Sequence, residues 1–410
     1  MLSSPLHQMP QPHRVTRRQA LTSLALAAGS TAAAASARAQ SAVASPSASS
    51  RAAGAVATAD TVDLFSVSQY EDRARGLMSI PAWEYYDQGC ADDLTVRWNR
   101  EALQRLRLES RVMVDVETID TSTTLFGRSL PHPILLAPAA AHMLVHPEGE
   151  VATARGASAA SAIMVLSTNA NCSVEAVAAA ATQPLWFQLY VNRDRAIARD
   201  LIQRVEGAGC AALCVTVDQP VIYARDRVSR HADALRALPL PNIAQAIPGG
   251  VTQTSASRSR SLTWKDLDWF RAQTKLPIVL KGVMHPDDAE QAVQAGADAI
   301  IVSNHGGRAL DGVAATIDAL PRVADRVDGR MPVLMDGGIR RGGDVLRALA
   351  RGASAVLIGR PYLYGLAVNG SDGVQHIVEI LRREFETAMA LTGRTTIARI
   401  DRTVLWPDRP

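Results

Sequence analysis

Eight short runs of apolar, largely β-branched residues set the strongest limit on how this chain can fold. They are Ile134–Ala137, Ile163–Leu166, Leu185–Leu189, Ala211–Val217, Pro277–Leu280, Ala299–Val302, Pro332–Met335 and Ala355–Ile358. Runs this short and this uniformly apolar read as strands buried on both faces. Alanine-rich amphipathic stretches lie between them, including Gly149–Ala162, Arg195–Gly207, Pro286–Ala295 and Gly342–Ala350. Strand and helix in alternation predict a parallel α/β fold, and eight units suit a closed (β/α)8 TIM barrel. A doubly wound sheet has the same rhythm, but no Gly-x-Gly-x-x-Gly follows an early strand here. Residues 61–405 are assigned to the barrel domain, which includes an N-terminal helical extension.

Polar residues follow seven of the eight runs. In order the ends read Pro138-Ala139-Ala140, Ser167-Thr168-Asn169, Gln188-Leu189-Tyr190, Thr216-Val217-Asp218, Lys281-Gly282, Ser303-Asn304-His305, Asp336-Gly337-Gly338 and Gly359-Arg360. In a barrel all of these converge on the carboxyl-terminal face, where barrel enzymes build their sites. The sixth end continues as Gly306-Gly307-Arg308-Ala309-Leu310-Asp311-Gly312, so a histidine and an arginine stand three apart among glycines. A base beside a fixed guanidinium suits proton removal from a substrate that carries a carboxylate. Glycines and arginines after the last two runs, Asp336-Gly337-Gly338-Ile339-Arg340 and Gly359-Arg360, sit where barrels commonly bind a phosphate. Tight turns with surface arginines are the plainer account of each alone.

The first 39 residues differ from the rest. They hold Arg14, Arg17, Arg18 and Arg38 and no acid, so of the chain's formal net charge of +3 the remainder carries −1. That balance gives no reason to propose nucleic acid or an anionic membrane as partner. Arg17-Arg18 ahead of a mildly apolar alanine-rich run, closed by Ala37-Arg38-Ala39, predicts a twin-arginine signal over 1–39, with an ordinary secretory signal or a disordered basic tail as the alternatives. Residues 40–60 read as a flexible Ala/Ser linker. The expected address is therefore periplasmic, reached by export of the folded protein, which fits a chain that must acquire a cofactor first. Four cysteines in 410 residues are no disulfide framework. Cys210 and Cys214 sit in a strand-like run and read as buried thiols, with no metal site.

With these motifs laid out, the chain resembles the FMN-dependent L-2-hydroxyacid oxidase/dehydrogenase family, which includes glycolate oxidase, lactate oxidase, mandelate dehydrogenase and the flavin domain of flavocytochrome b2. The resemblance runs from about Ser66 to Ile400. It implies FMN as cofactor and oxidation of a small, lactate-like L-2-hydroxyacid to the 2-oxoacid. It makes His305 the base, acting as the α-hydrogen passes to flavin N5, and Asp218 the carboxylate that orients it. Arg308 and Arg225 match the pair that grips the substrate carboxylate, with Arg227 set aside by register. Tyr85 matches a tyrosine that touches that carboxylate, and Tyr190 one near the substrate hydroxyl. Lys281 matches the lysine beside flavin N1 and the C2 carbonyl. Ala137, Ala139, Ser167, Gln188, Thr216 and Ser303 match the isoalloxazine surroundings. Asp336, Gly338, Arg340, Gly359 and Arg360 match the ribityl-phosphate site.

The chain departs from the family at three places. Ala309 stands where Gln is common, Asn169 where glycolate oxidase has Trp, and Ala140 where mandelate dehydrogenases have Gly. Ala232–Arg260 matches the variable fourth loop and reads as a lid. The acceptor implied is oxygen, a quinone or a separate cytochrome, since no heme motif occurs; the family's usual assembly is a homotetramer. Two other readings fit parts of the pattern: a periplasmic carboxylate-binding protein without catalysis, and another phosphate-binding barrel enzyme.

Overall fold

The computed structural model describes residues 63–244 and 258–407. The expected signal, the linker and residues 245–257 of the expected lid lie outside the described residues. Eight parallel strands close into a barrel. They are β1 (Ile134–Leu136), β2 (Met164–Ser167), β3 (Leu185–Leu189), β4 (Ala212–Thr216), β5 (Ile278–Lys281), β6 (Ala299–Val302), β7 (Val333–Asp336) and β8 (Ala355–Ile358). Each pairs with its chain neighbours and β8 closes on β1, with Val356 opposite Ile134. The eight expected runs are these strands: three match to the residue, two are trimmed and three shift one residue toward the mouth. Ser167, Lys281 and Asp336, read from sequence as loop residues, are the last residues of their strands. The expected helix Gly149–Ala162 ends at Ala159, because Ser161 turns the chain at φ +55°.

The strand period of two splits the apolar residues into two separate clusters. Leu135, Val165, Trp186, Cys214, Val279, Ile301, Leu334 and Leu357 face inward and fill the barrel. Their neighbours, among them Leu136, Leu166, Phe187, Leu280 and Ile358, face the surrounding helices. A hairpin, Thr123–Leu125 paired with Arg128–Leu130, closes the end where the strands start: Leu125 and Leu130 join the inner cluster, and the Phe126 ring lies 5.5 Å from that of Trp186. The opposite end is left for polar groups.

Three helices precede the barrel: α1 (Val67–Leu77), α2 (Ile80–Asp87) and α3 (Leu94–Arg105). Ser66 and Ser79 cap α1 and α2 by accepting from Gln69 N and Ala82 N, each at 3.3 Å. Tyr70 of α1 bonds His376 Nδ1 at 2.8 Å, tying the extension to the carboxyl-terminal helical segment. That segment is two helices, 360–368 and 371–391, broken where Gly370 takes φ +55°. All four cysteines are free, and burial pushes Cys210 and Cys214 up to about 12. Among the described residues no helix is long and apolar enough to cross a membrane.

Candidate active site

The alternation that fills the barrel also chooses what stands at its mouth. Continuing the inward set by one step along each strand gives Ala137, Ser167, Gln188, Thr216, Lys281, Ser303, Asp336 and Gly359. Register brings them together in pairs: Ser167 lies opposite Gln188, and Thr216 opposite Lys281. Gln188 is held at both ends. Its Nε2 donates to Thr216 Oγ1 at 2.9 Å, and its Oε1 accepts from Ser167 Oγ at 3.2 Å. Lys281 Nζ donates to Ser303 Oγ at 2.8 Å and lies 3.0 Å from Asp336 Oδ2. Burial would lower the lysine pKa, but Asp336 and Asp218 outweigh it and raise it, so the ammonium is a fixed charge.

His305 leaves β6 in the left-handed region at φ +60°, followed by Gly306 and Gly307 at +64° and +79°. A non-glycine residue held so costs on the order of 1 kcal/mol. The conformation turns the ring back over the mouth, where Nδ1 lies 3.0 and 3.2 Å from the two Asp218 oxygens. The Asp218 carboxylate, whose pKa His305 and Lys281 lower against the effect of burial, can only accept. Nδ1 therefore carries the proton, and Nε2 presents a lone pair 3.2 Å from the Tyr190 hydroxyl. Burial, aided by Lys281, outweighs the pull of Asp218 and lowers the imidazole pKa to about 4. The ring is a neutral base at neutral pH.

The arginines come to the same mouth. Arg308 Nη1 donates to the Tyr85 and Gln88 carbonyls, both at 2.6 Å, and its guanidinium lies 5.2 Å from the Tyr85 ring centroid. Arg225 Nη2 donates to the Arg308 carbonyl at 2.7 Å, while its buried Nε has no partner. Burial, then Arg225, lowers the Arg308 pKa to about 9. Two cations this close, bonded to carbonyls and not to acids, favour an anion. Arg227 is spoken for: it lies 3.2 Å from Asp87 and 2.6 Å from Asp93. It pins the short helix Asp226–Ser229 to α2 and α3 and so sets Arg225.

A cleft of about 1010 Å³, open mouth included, runs from Tyr85, Tyr190 and Arg225 past His305 to Arg340 and Arg360. At its far end Arg360 Nε donates to Tyr86 O at 2.7 Å and Nη1 to Gly306 O at 3.0 Å. Burial lowers the Arg340 pKa to about 10; its Nε makes no hydrogen bond and lies 3.7 Å from Glu71 Oε2, and Asp336 Oδ1 has no hydrogen-bond partner either. Such atoms fit a phosphorylated ligand that carries hydroxyls. Gly338 has a second reason to be glycine: it takes φ +83°, and a Cβ there would overlap the Asn99 carbonyl of α3. Ser303 and Asp218 lie behind the cleft, supporting Lys281 and His305, and every other sequence-predicted site residue lines it.

Sequence reasoning passed over several residues that complete the site. Gln219 accepts from Tyr190 OH at 3.3 Å and Arg258 Nη1 at 2.8 Å, and donates to Arg308 O at 2.9 Å. Its position next to Asp218 was the available signal. The Arg258 guanidinium lies 3.6 Å above the Tyr190 ring centroid; nothing in its low-complexity surroundings marks it. Tyr86 donates to the Ala140 and Ala141 carbonyls at 2.9 and 2.7 Å. Asp311 accepts from Thr95 N at 2.8 Å, locking the loop after β6 onto α3.

A barrel mouth with arginines at both ends of its cleft and a neutral base between them suits the class of cofactor-dependent enzymes that act on small organic acids. Residues 74–407 match the FMN-dependent dehydrogenase family, and the chain belongs to it. An L-lactate oxidase from Nostoc sp. is 43% identical over 364 residues, covering 85% of this chain and 99% of that protein. Glycolate oxidase 3 of Arabidopsis thaliana is 43% identical over 357 residues, covering 85% and 97%. The crystal structure of a Pediococcus acidilactici lactate oxidase superposes with a TM-score of 0.81 at 34% identity, covering 85% of this chain and 96% of that one. FMN is thus the cofactor, and the readings as a non-catalytic binding protein or a different phosphate-binding barrel are set aside.

Proposed function

We propose that this enzyme oxidises a small L-2-hydroxyacid such as L-lactate to the 2-oxoacid, with His305 as base. The observation that carries the reading is the His305 Nε2 lone pair facing a cleft with Arg225 and Arg308 beside it. The paired guanidiniums hold the substrate carboxylate and so fix the α-carbon. Tyr85 packs against Arg308 and keeps its fork in place. The Tyr190 hydroxyl and His305 Nε2 meet the substrate hydroxyl; Nε2 takes its proton, and Asp218 stabilises the imidazolium. Ala137, Ala139, Ser167, Gln188, Thr216 and Lys281 would hold the FMN ring, with Ser303 behind them fixing Lys281, and Asp336, Gly338, Arg340, Gly359 and Arg360 would hold its ribityl phosphate. FMN, when bound, accepts the α-hydrogen and two electrons. Lys281 supplies fixed positive potential at that end.

The reading extends to an acceptor, an address and an assembly. The electrons leave to oxygen or to a respiratory acceptor, a quinone or separate cytochrome. The twin arginines direct the folded enzyme to the periplasm, and it assembles as a homotetramer, the form common in the family. Anaerobic mixing of the FMN-loaded protein with a panel of 2-hydroxyacids, followed by oxygen, tests the core. Flavin bleaching by L-lactate or a homologue is the expected result. No bleaching by any 2-hydroxyacid sinks the proposal, and the reoxidation rate distinguishes oxidase from dehydrogenase.

A further inference from the structure

One cation at the barrel mouth has no task in the chemistry above. Arg258 is anchored through its backbone, which bridges Asn192, and the next residue, Ser259, donates its N–H to Val191 O at 2.8 Å. Its guanidinium stacks 3.6 Å above the Tyr190 ring centroid. Its Nη1 donates at 2.8 Å to Gln219 Oε1, which also accepts from the Tyr190 hydroxyl. The charge therefore stands one acceptor away from the group that meets His305 Nε2. It borders both the catalytic cleft and an adjoining annex of about 1650 Å³, open solvent included.

The neighbouring charges are matched. Lys281 faces Asp336, Asp218 is held by the neutral His305 ring, and Arg227 faces Asp87 and Asp93. Arg340, 3.7 Å from Glu71, and Arg360 line the end assigned to the phosphate, and Arg225 with Arg308 line the end assigned to the substrate carboxylate. Among the described residues Arg258 meets only a neutral amide and an aromatic face, with no carboxylate. Each leaves part of the planar donor fork free for an anion. We propose that Arg258 binds a second anionic group on the substrate, so that short 2-hydroxydicarboxylates are the favoured substrate class. This rests on the reading of the chain as a 2-hydroxyacid-oxidising enzyme.

A charge-assisted bond made to one substrate and absent from its neutral homologue is worth about tenfold or more in kcat/KM. The test uses the FMN-loaded full chain and anaerobic flavin bleaching. L-malate is compared with L-2-hydroxybutyrate, and L-2-hydroxyglutarate with L-2-hydroxyvalerate, pairs that match in length and differ in the distal charge. The diacids should lead by about tenfold or more, mostly through KM; Arg258→Met should abolish that lead, and Arg258→Lys should keep part of it. Equal rates for the two members of each pair overturn the proposal. So does an equal fall on all four acids in Arg258→Met, which would mark Arg258 as a support for Tyr190 alone. If no 2-hydroxyacid bleaches the flavin, the underlying reading has failed instead.

Discussion

His305 is the residue on which the chemistry turns, and its surroundings fix how it responds to pH. With its pKa lowered to about 4, the imidazole is a competent base wherever the pH exceeds that value. Flavin reduction, followed as kcat/KM, should be level from about pH 6 to neutrality and fall as acid protonates His305 near pH 4; a fall already centred near the ordinary histidine value of about 6.5 would contradict the assignment. Stability follows the same sign. Between about pH 6.5 and about 4 the unfolded chain takes up a proton that the native ring refuses, so His305 destabilises the fold progressively as pH drops through that window. His305→Gln should keep FMN yet slow flavin reduction by about 10²-fold or more, measured by stopped-flow bleaching. Arg308→Met and Arg225→Met should chiefly weaken substrate and sulfite binding, by titration. His305 and Asp218 were legible because each closely follows a strand end with a distinct chemistry, and Arg308 because it stands three residues after the histidine; Arg225, nine residues past the end of β4, came from the family resemblance alone. Gln219 and Arg258 were not legible, because an amide is chemically bland and an arginine in a Ser-rich stretch reads as solvated surface.

At the scale of elements, the strands were legible almost to the residue, because a doubly buried strand admits few residue types. Three of their ends were read one residue short, since Ser167, Lys281 and Asp336 are polar yet remain in the ladder and point inward. The hairpin that plugs the base was not legible: two three-residue strands carry too little period. Trp186 fills the barrel just above it, so Trp186→Ala should cost about 3–5 kcal/mol, read as a lowered thermal midpoint with unchanged stoichiometry of FMN at low temperature. The clasp between the Asp226–Ser229 helix and α2 and α3 makes a different prediction. Arg227→Met should raise KM several-fold while leaving kcat less affected, because Arg225 loses its anchor and His305 does not. An equal loss in both constants would show that the clasp supports more than the carboxylate site.

For the whole molecule, the order of construction matters as much as the finished geometry. If the twin-arginine address is right, replacing Arg17 and Arg18 by lysine should leave the enzyme FMN-loaded in the cytoplasm; unchanged periplasmic recovery would point to the ordinary secretory route. The charge of the first residues and their alanine-rich run are what suggest that address, whereas no single strand end or motif speaks for a subunit contact. The mouth of the barrel adds a constraint of timing. The backbone carbonyls of Tyr85, Tyr86 and Gln88 are held by Arg308 and Arg360, residues more than two hundred positions later in the chain. A ribosome will have delivered the first helices long before the guanidiniums that secure them exist, and contacts so distant in sequence form slowly. The cleft can thus close only once the chain has been made through Arg360. A nascent or truncated chain ending before Arg360 would lack a binding-competent mouth, so cofactor capture itself reports that synthesis has passed that residue.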